Sequence, residues 1–526
     1  MTGEARQAGR VSGRAKMVAR VSTVAFQGID GVPVDVQVMF GPGKLAMQIV
    51  GLPDKAIAES RERVQAAVHA SGLAMPPKRL TVNLAPADLP KEGSHFDLPI
   101  ALAIMAALGA IPADALQQFL VIGELNLDGT IAPVAGALPA AIAANAMGKG
   151  LICPHESGPE AAWAGVEIDI LAPRSLIGLA NHFRGTQVLT RPEPAIRQNP
   201  ANLPDLADIK GQESAKRALE VAAAGGHNLL MIGPPGSGKP MLAQRLPSIL
   251  PPLSAAELLE VSMIHSIAGQ ISGGKLSDRR PYRAPHHSAT MAALVGGGLR
   301  ARPGEASLAH NGVLFLDELP EFQPQALDAL RQPLETGECV IARANHHVSY
   351  PANFQLIAAM NPCRCGMAGT PGHTCARGPR CAADYQGRIS GPMLDRIDIR
   401  IDVPAVSAAD LIRPMAAESS ETIARRVSNA RELQRDRFVA AGVPDVTCNA
   451  RCSTTLIEKI AEPDPGGLQL LRDAADKLKF SARGYHRILK VARTLADLDG
   501  SGRIGRIHLA EAISYRIAGD RLLAAA

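Results

Sequence analysis

The sequence predicts an α/β protein: two α/β domains in succession, then a helical bundle. Three observations carry that prediction. A glycine-rich loop, Gly233-Pro234-Pro235-Gly236-Ser237-Gly238-Lys239, follows the apolar run Asn228 to Ile232 and precedes the helical pattern Met241 to Leu246. A second apolar run, Val313 to Leu316, ends in Asp317 and Glu318 about 80 residues further on. From about Ala405 onward the spacing of apolar residues is helical.

The totals set the frame. A chain of 526 residues is long enough for two to four separate cores. Composition is ordinary, with 46% hydrophobic and 20% charged residues, and aromatics at 3% leave few stacking platforms for bases. The net charge of +5 permits a local basic stripe without arguing for one. No run of 18 apolar residues occurs, so no membrane span is predicted. Residues 1–17 carry Arg6, Arg10, Arg14 and Lys16 but lack the apolar core of a signal peptide; a disordered extension is expected, with Met17 a second candidate start. Eight cysteines in this length do not suggest a disulfide scaffold, and a cytoplasmic location is expected.

Residues 18–189 read as the first α/β domain. Val21 to Phe26 and Val32 to Val38 form a hairpin, the second strand alternating valine at period two, with Pro33 placing its start on an edge. Glu59 to Ser71 is a helix with Val64, Ala67 and Val68 on one face. Leu80 to Leu84 is a strand, Asp97 to Leu108 a buried helix, Leu120 to Leu125 a strand and Ala135 to Met147 an alanine-rich helix. The proline-rich residues 190–204 read as a linker.

Residues 205–404 form the second domain. Backbone N–H groups of the glycine-rich loop and the start of the following helix suit phosphate oxygens, and Lys239 reaches the β- and γ-phosphates. The pattern calls for Ser or Thr after the lysine, whose hydroxyl would ligate Mg²⁺, but Pro240 stands there. Proline is tolerated in a first helical turn, so ATP binding is expected to survive while metal placement and hydrolysis suffer. Asp317 is expected to hold Mg²⁺ and Glu318 to orient the attacking water, both at the carboxyl end of a buried parallel strand. A third strand, Phe354 to Met360, ends in Asn361, placed for the γ-phosphate or the water. Arg396, just before the strand Ile397 to Val403, can act on the nucleotide of a neighbouring subunit or pair on the surface with Asp395 or Asp398.

Val340 to Tyr350 reads as a hairpin whose tip, with Arg343 and His346, either grips a phosphate backbone or is simply solvated. Cys363, Cys365, Cys375 and Cys381 fall within 19 residues, with His373 nearby, and offer a Zn²⁺ site in the insert 363–381; free thiols are the alternative. In 405–526, Glu421 to Val439 carries Arg425, Arg426, Arg431, Arg435 and Arg437, read as a solvated helix face. Helices over Cys452 to Ile460, Gly466 to Leu478, Ala482 to Leu498 and Ile507 to Ile517 complete the bundle.

These motifs together resemble the AAA+ ATPases, and more closely the magnesium-chelatase-like family that contains the competence protein ComM and YifB. The matching stretches are Tyr282 to Ser288, Val295 to Gly298, Ala309 to Leu319 and Ala359 to Cys363. The resemblance covers nearly the whole chain after Met17. It implies an AAA+ core with a helical lid, a hexameric ring, and for ComM a helicase that drives branch migration of DNA during natural transformation. It also implies that Arg300 and Arg302 face the ring's pore and that Arg483, or Arg487 one turn along, is the lid's sensor arginine. Lys91 to Asp97 and Gly123 to Gly129 resemble the protease domain of Lon, a ribosomal-S5-like fold. By that resemblance His95 takes the nucleophile's position and Leu138 the base's, so a non-proteolytic module is expected. A metal-chelatase subunit and a nucleotide-dependent binding module without turnover are the rival readings.

Overall fold

The computed structural model describes residues 18–44, 46–197, 203–298, 301–343, 346–368, 375, 377–378, 380–406, 412, 417–478 and 480–524. Residues 1–17, Arg300 and His373 lie outside them. The described chain divides into two compact units. One runs up to Arg197 and includes His265–Leu276; the other holds the rest.

In the first unit, strands β1 (Ala19–Gln27), β2 (Asp30–Gly41), β3 (Ala46–Val50), β4 (Arg79–Ala85) and β5 (Phe119–Val121) lead to the short ladder β6 (Glu124–Leu125) and β7 (Ile131–Ala132), then β8 (Gly150–Ile152) and β9 (Ile170–Leu171). Seven of them form one mixed sheet in the order β3-β4-β2-β1-β5-β8-β9. The hairpin β1–β2 is antiparallel, with Val24 opposite Pro33. Pro33 lies before Asp35, where pairing with β4 begins, so it removes no donor from the β2–β4 ladder. Valines 34, 36 and 38 are all buried, as the period-two pattern requires.

The helix Asp97–Ala107 is buried from Asp97 through Ala106. A buried carboxylate needs compensation, and Asp97 receives a two-pronged contact from Arg63 at 2.6 and 3.1 Å plus the Leu125 N–H at 3.3 Å. His95 is buried, its Nε2 lies 2.9 Å from the Val24 carbonyl, and burial pushes its pKa down to about 4. The Ser94 hydroxyl donates to the Glu124 carboxylate, and the Lys91 ammonium to the Pro86 carbonyl. Leu138 is fully buried and its N–H donates to Glu160 at 3.1 Å.

Two sequence expectations change here. The described part of the expected linker, up to Arg197, is not free: Trp163 donates to the Ala195 carbonyl at 3.4 Å, and Ala195 and Arg197 bond to Leu276 at 3.1 and 2.7 Å. His265–Leu276 belongs to this unit although the sequence around it reads as part of the second. The buried Glu160 carboxylate holds it through the Ser266 hydroxyl, and Gly136 N–H donates to the Ser266 carbonyl at 3.1 Å.

The second unit is built on five parallel strands, β10 (Leu229–Ile232), β11 (Tyr282–Arg283), β12 (Val313–Leu316), β15 (Gln355–Met360) and β16 (Ile399–Asp402), in the order β11-β12-β15-β10-β16. The hairpin β13 (Glu338–Arg343) and β14 (His346–Pro351) stands apart from that sheet. The bundle helices Ser420–Ala440, Thr454–Ile460, Pro465–Leu478, Ala482–Leu498 and Arg506–Ala524 share one hydrophobic core with the sheet, joining Val427, Phe438, Leu489 and Leu509 to Leu229, Ile357 and Ile401.

The arginine face of Ser420–Ala440 is only partly solvated, contrary to the sequence reading. Arg431 donates twice to the Ala223 carbonyl, at 3.1 and 2.7 Å, near the end of the helix Glu213–Gly225, where orphan carbonyls need donors. Arg437 pairs with the buried Asp497, and Arg426 with Glu220 and Glu418. Arg425 and Arg435 remain exposed.

Candidate nucleotide site

All five strands of the second unit run the same way, so their carboxyl ends make one edge. β10 delivers the glycine-rich loop there, β12 delivers Asp317 and Glu318, and β15 delivers Asn361. The loop is closely determined. A side chain on Gly233 would place its Cβ 2.1 Å from the Val403 carbonyl, and Gly238, at φ +85°, caps the helix Lys239–Arg245 in a left-handed conformation that favours glycine. Pro240 occupies the first turn of that helix, where no N–H is required, so the loop forms without distortion.

Lys239 is almost fully buried. Its ammonium donates to the carbonyls of Gly233 (2.8 Å) and Pro234 (2.9 Å), to Ser237 Oγ (3.4 Å) and to Asn361 Oδ1 (3.3 Å). Burial lowers its pKa, while Asp317 and Glu318 pull the other way. A buried cation leaning on neutral carbonyls at a helix N-terminus is a fit for phosphate oxygens, which would give it full charge compensation. Mg²⁺ accompanying the nucleotide would neutralise charge on the phosphate oxygens, and Asp317, at the carboxyl end of β12, could hold it. Pro240 offers no oxygen to the ion.

Glu318 sits at φ +52°, a left-handed conformation uncommon for any residue but glycine, and its carboxylate is half-exposed. His287 Nδ1 lies 3.2 Å from that carboxylate. His287 belongs to the stretch Tyr282 to Ser288 that carries the family resemblance, yet periodicity gave it no role. It is the residue that sequence reasoning missed at this edge; β11, two residues long, brings it in.

The amino edge of the same sheet is different. Asn228, just before β10, donates its side-chain amide to the Arg396 carbonyl at 2.9 Å and its N–H to the Asp398 carboxylate at 3.0 Å. Arg396 thus begins at the opposite end of β10 from the phosphate loop, four residues or about 13 Å of strand away. Its guanidinium is nearly buried. It donates to the carbonyls of Arg331 (3.1 Å) and Pro392 (2.6 Å) and pairs with Glu335, not with Asp395 or Asp398 as the surface reading expected. Asp395 pairs instead with Arg516 at 3.5 Å, and Asp398 with Arg487. Arg483 is 66% exposed and stands 3.6 Å from Glu335. Arg396, Arg483, Arg487 and Lys490 line a cavity of about 130 Å³ with Glu335 and Asp395, and no residue of the phosphate loop lines it.

Comparison with known proteins gives the family. The profile described as magnesium chelatase, subunit ChlI, matches residues 205–411; a second ChlI profile matches 36–157, and the ChlI C-terminal profile matches 417–516. The chain is 43% identical over 511 residues to a protein called YifB from Salmonella typhimurium, covering 96% of this chain and 98% of that one.

The chain belongs to the magnesium chelatase ChlI family.

Within that family it is also 43% identical over 506 residues to the competence protein ComM of Haemophilus influenzae, covering 95% of this chain and 97% of that protein. To the magnesium-chelatase 38 kDa subunit of Rhodobacter capsulatus it is 24% identical over 338 residues, covering 60% of this chain and 88% of that one. Membership makes this an AAA+-type ATPase chain and implies ATP and Mg²⁺ as its nucleotide and ion.

The remaining site residues lie elsewhere in the second unit. Arg302 is exposed and its backbone bridges to Gly297. Arg343 and His346 are backbone register partners at the end of the β13–β14 hairpin. Cys363, Cys365, Cys375 and Cys381 converge beyond Asn361. Cys448 and Cys452 are both buried, as are Cys153 and Cys339. Among the described residues no helix is long and apolar enough to cross a membrane.

Proposed function

We propose that the chain is one subunit of an ATP-driven hexameric ring that acts in the cytoplasm on branched or single-stranded DNA and promotes branch migration, as a helicase of the ComM kind. The observation that carries this reading is the division of charged groups between the two edges of one sheet. Lys239, Asp317, Glu318 and Asn361 gather at the carboxyl edge, while Arg396 and Arg483 gather at the other, in a cavity that the phosphate loop does not line. A group on the amino edge cannot serve its own nucleotide. It can serve a neighbour's, and a closed ring of identical subunits gives every subunit such a neighbour.

In this reading Lys239 holds the β- and γ-phosphates, Asn361 orients the γ-phosphate, and Glu318 positions the attacking water and draws off its proton. His287, whose Nδ1 lies 3.2 Å from the Glu318 carboxylate, helps fix that carboxylate's direction. Arg396 and Arg483 of the adjacent subunit neutralise charge on the transferring phosphoryl oxygens, for which Glu335 must release them. Arg300, Arg302 and the Arg343–His346 hairpin would supply contacts to the DNA backbone. The first unit, with its Lon-like stretches, acts as a module without protease chemistry. Near-full-length likeness to the ComM of Haemophilus influenzae supports the DNA assignment over a chelatase role.

Pro240 favours a second reading, a module that binds ATP and DNA but turns over slowly. A forked, fluorescently labelled DNA incubated with the purified protein and ATP separates the two. ATP-dependent strand separation or migration of a Holliday junction is the expected result; nucleotide-dependent binding with no strand movement supports the second reading, and no DNA binding at all overturns both.

A further inference from the structure

Two residues beyond Asn361 the chain enters a knot of sulfur. Cys363 Sγ lies 3.1 Å from Cys365 Sγ and 4.0 Å from Cys375 Sγ, and Cys365 Sγ lies 3.2 Å from Cys375 Sγ. Cys381 joins Cys363 and Cys375, the three Sγ atoms all falling within 4.8 Å of one another, and Cys365 adjoins this trio through Cys363 and Cys375. Four neutral thiols gain little from meeting, because S–H is a weak donor and sulfur a weak acceptor. Around a Zn²⁺ ion with Zn–S bonds of about 2.3 Å, tetrahedral sulfurs stand about 3.8 Å apart, a value these separations bracket. The backbone also suits thiolate, since Ala368 N–H donates to Cys363 Sγ at 3.3 Å.

The knot is joined to the nucleotide site on two sides. Cys381 opens the helix Cys381–Gln386, and Gln386 at its end donates to the Pro362 carbonyl at 2.7 Å, the residue between Asn361 and Cys363. Gly366, inside the knot, lies against the phosphate loop: a Cβ there would fall 2.5 Å from the ring of Pro235. Its φ of +84° and that contact together favour glycine and would strain a larger residue.

We propose that Cys363, Cys365, Cys375 and Cys381 bind one structural zinc ion, and that this ion braces Asn361 and the phosphate loop for nucleotide. The ion replaces four protons and fixes the loop on which Pro235 and Asn361 rest. Because the site is saturated by protein sulfur, its role is support and not chemistry on the substrate. This inference does not depend on the DNA reading.

The test uses the full chain purified under reducing conditions from zinc-supplemented cells. Elemental analysis should find about one zinc per chain, the stoichiometry of a single four-thiolate site. Titration with p-hydroxymercuribenzoate should release that zinc as the cluster's thiols are consumed. Protein loaded with Co²⁺ should show the intense visible bands of a tetrahedral thiolate site, a readout that needs no substitution and so survives any folding defect. The double variant Cys363→Ser, Cys381→Ser should lose the metal, and binding of a fluorescent ATP analogue should weaken several-fold when the metal is removed from the wild-type chain. Zinc well below one per chain together with no thiolate bands from Co²⁺ overturns the site. Bound zinc whose removal leaves nucleotide affinity unchanged overturns the bracing role.

Discussion

At the carboxyl edge of the five-stranded sheet the charged side chains turn toward one loop; at the amino edge they turn toward one another. Lys239 is buried among carbonyls that cannot neutralise it, with Asp317 and Glu318 close enough to act on its charge. Arg396, by contrast, is saturated by Arg331, Pro392 and Glu335, and Asp398 by Arg487 and Asn228. One edge is built to receive a ligand. The other holds its cations in reserve, each with an acid that can let go. In the proposed reading, a single chain carries two half-sites that do not meet.

Changes at the two edges should separate binding from turnover. The largest effect is expected at Arg396. In a background where turnover is measurable, Arg396→Ala should slow ATP hydrolysis on the order of 10³-fold while leaving nucleotide affinity near wild type. Equal loss of affinity and rate would place the residue at its own subunit's site.

Next in size is Asp398, which holds the amino edge together. Burial alone would raise its pKa, but Arg487, His227 and the Asn228 N–H overcome burial and hold the carboxyl well below its ordinary range. A carboxyl depressed in the folded state stabilises it above the unfolded aspartate pKa of ~3.9, and that stability drains away as pH falls toward the folded value. Asp398→Asn should therefore cost about 3 kcal/mol near neutral pH and flatten the acid limb of the stability curve. Chemical denaturation at several pH values checks both; a variant as stable as wild type at pH 7 would contradict the account.

Smaller still is the effect at Pro240. Pro240→Thr supplies the hydroxyl that the carboxyl edge lacks and should raise the hydrolysis rate roughly tenfold, about 1.4 kcal/mol of barrier. Steady-state rates with and without DNA measure it, and identical rates for the two proteins would show that Asp317 and water suffice for the ion.

The carboxyl edge was the more legible one in the sequence, and for a physical reason. A phosphate loop and an acid-ended strand are local motifs whose backbone geometry depends on a few adjacent residues. The bundle helices and the β13–β14 hairpin were legible through their periods. β3, β8 and β9 were not, because strands of two to five residues show no period. Nor could the sequence show that His265–Leu276 leaves the second unit, since the reason is a buried hydrogen bond between Ser266 and Glu160, 106 positions apart. Arg396 was legible as a residue but not as a buried one; Pro392 is a local partner, but Arg331 and Glu335 lie on a segment that only the fold brings to it. His287 was visible in a motif, and its place beside Glu318 came only with β11.

Mixing two inactive proteins tests most directly whether the half-sites meet across subunits. In the Pro240→Thr background, Arg396→Ala subunits retain Glu318, and Glu318→Gln subunits retain Arg396. Neither protein alone should hydrolyse ATP appreciably. Mixed rings place some intact Glu318 sites beside an intact Arg396, so hydrolysis should reappear and peak near equal proportions. Confirmed co-assembly with no recovery at any ratio would contradict the division of the site between neighbours.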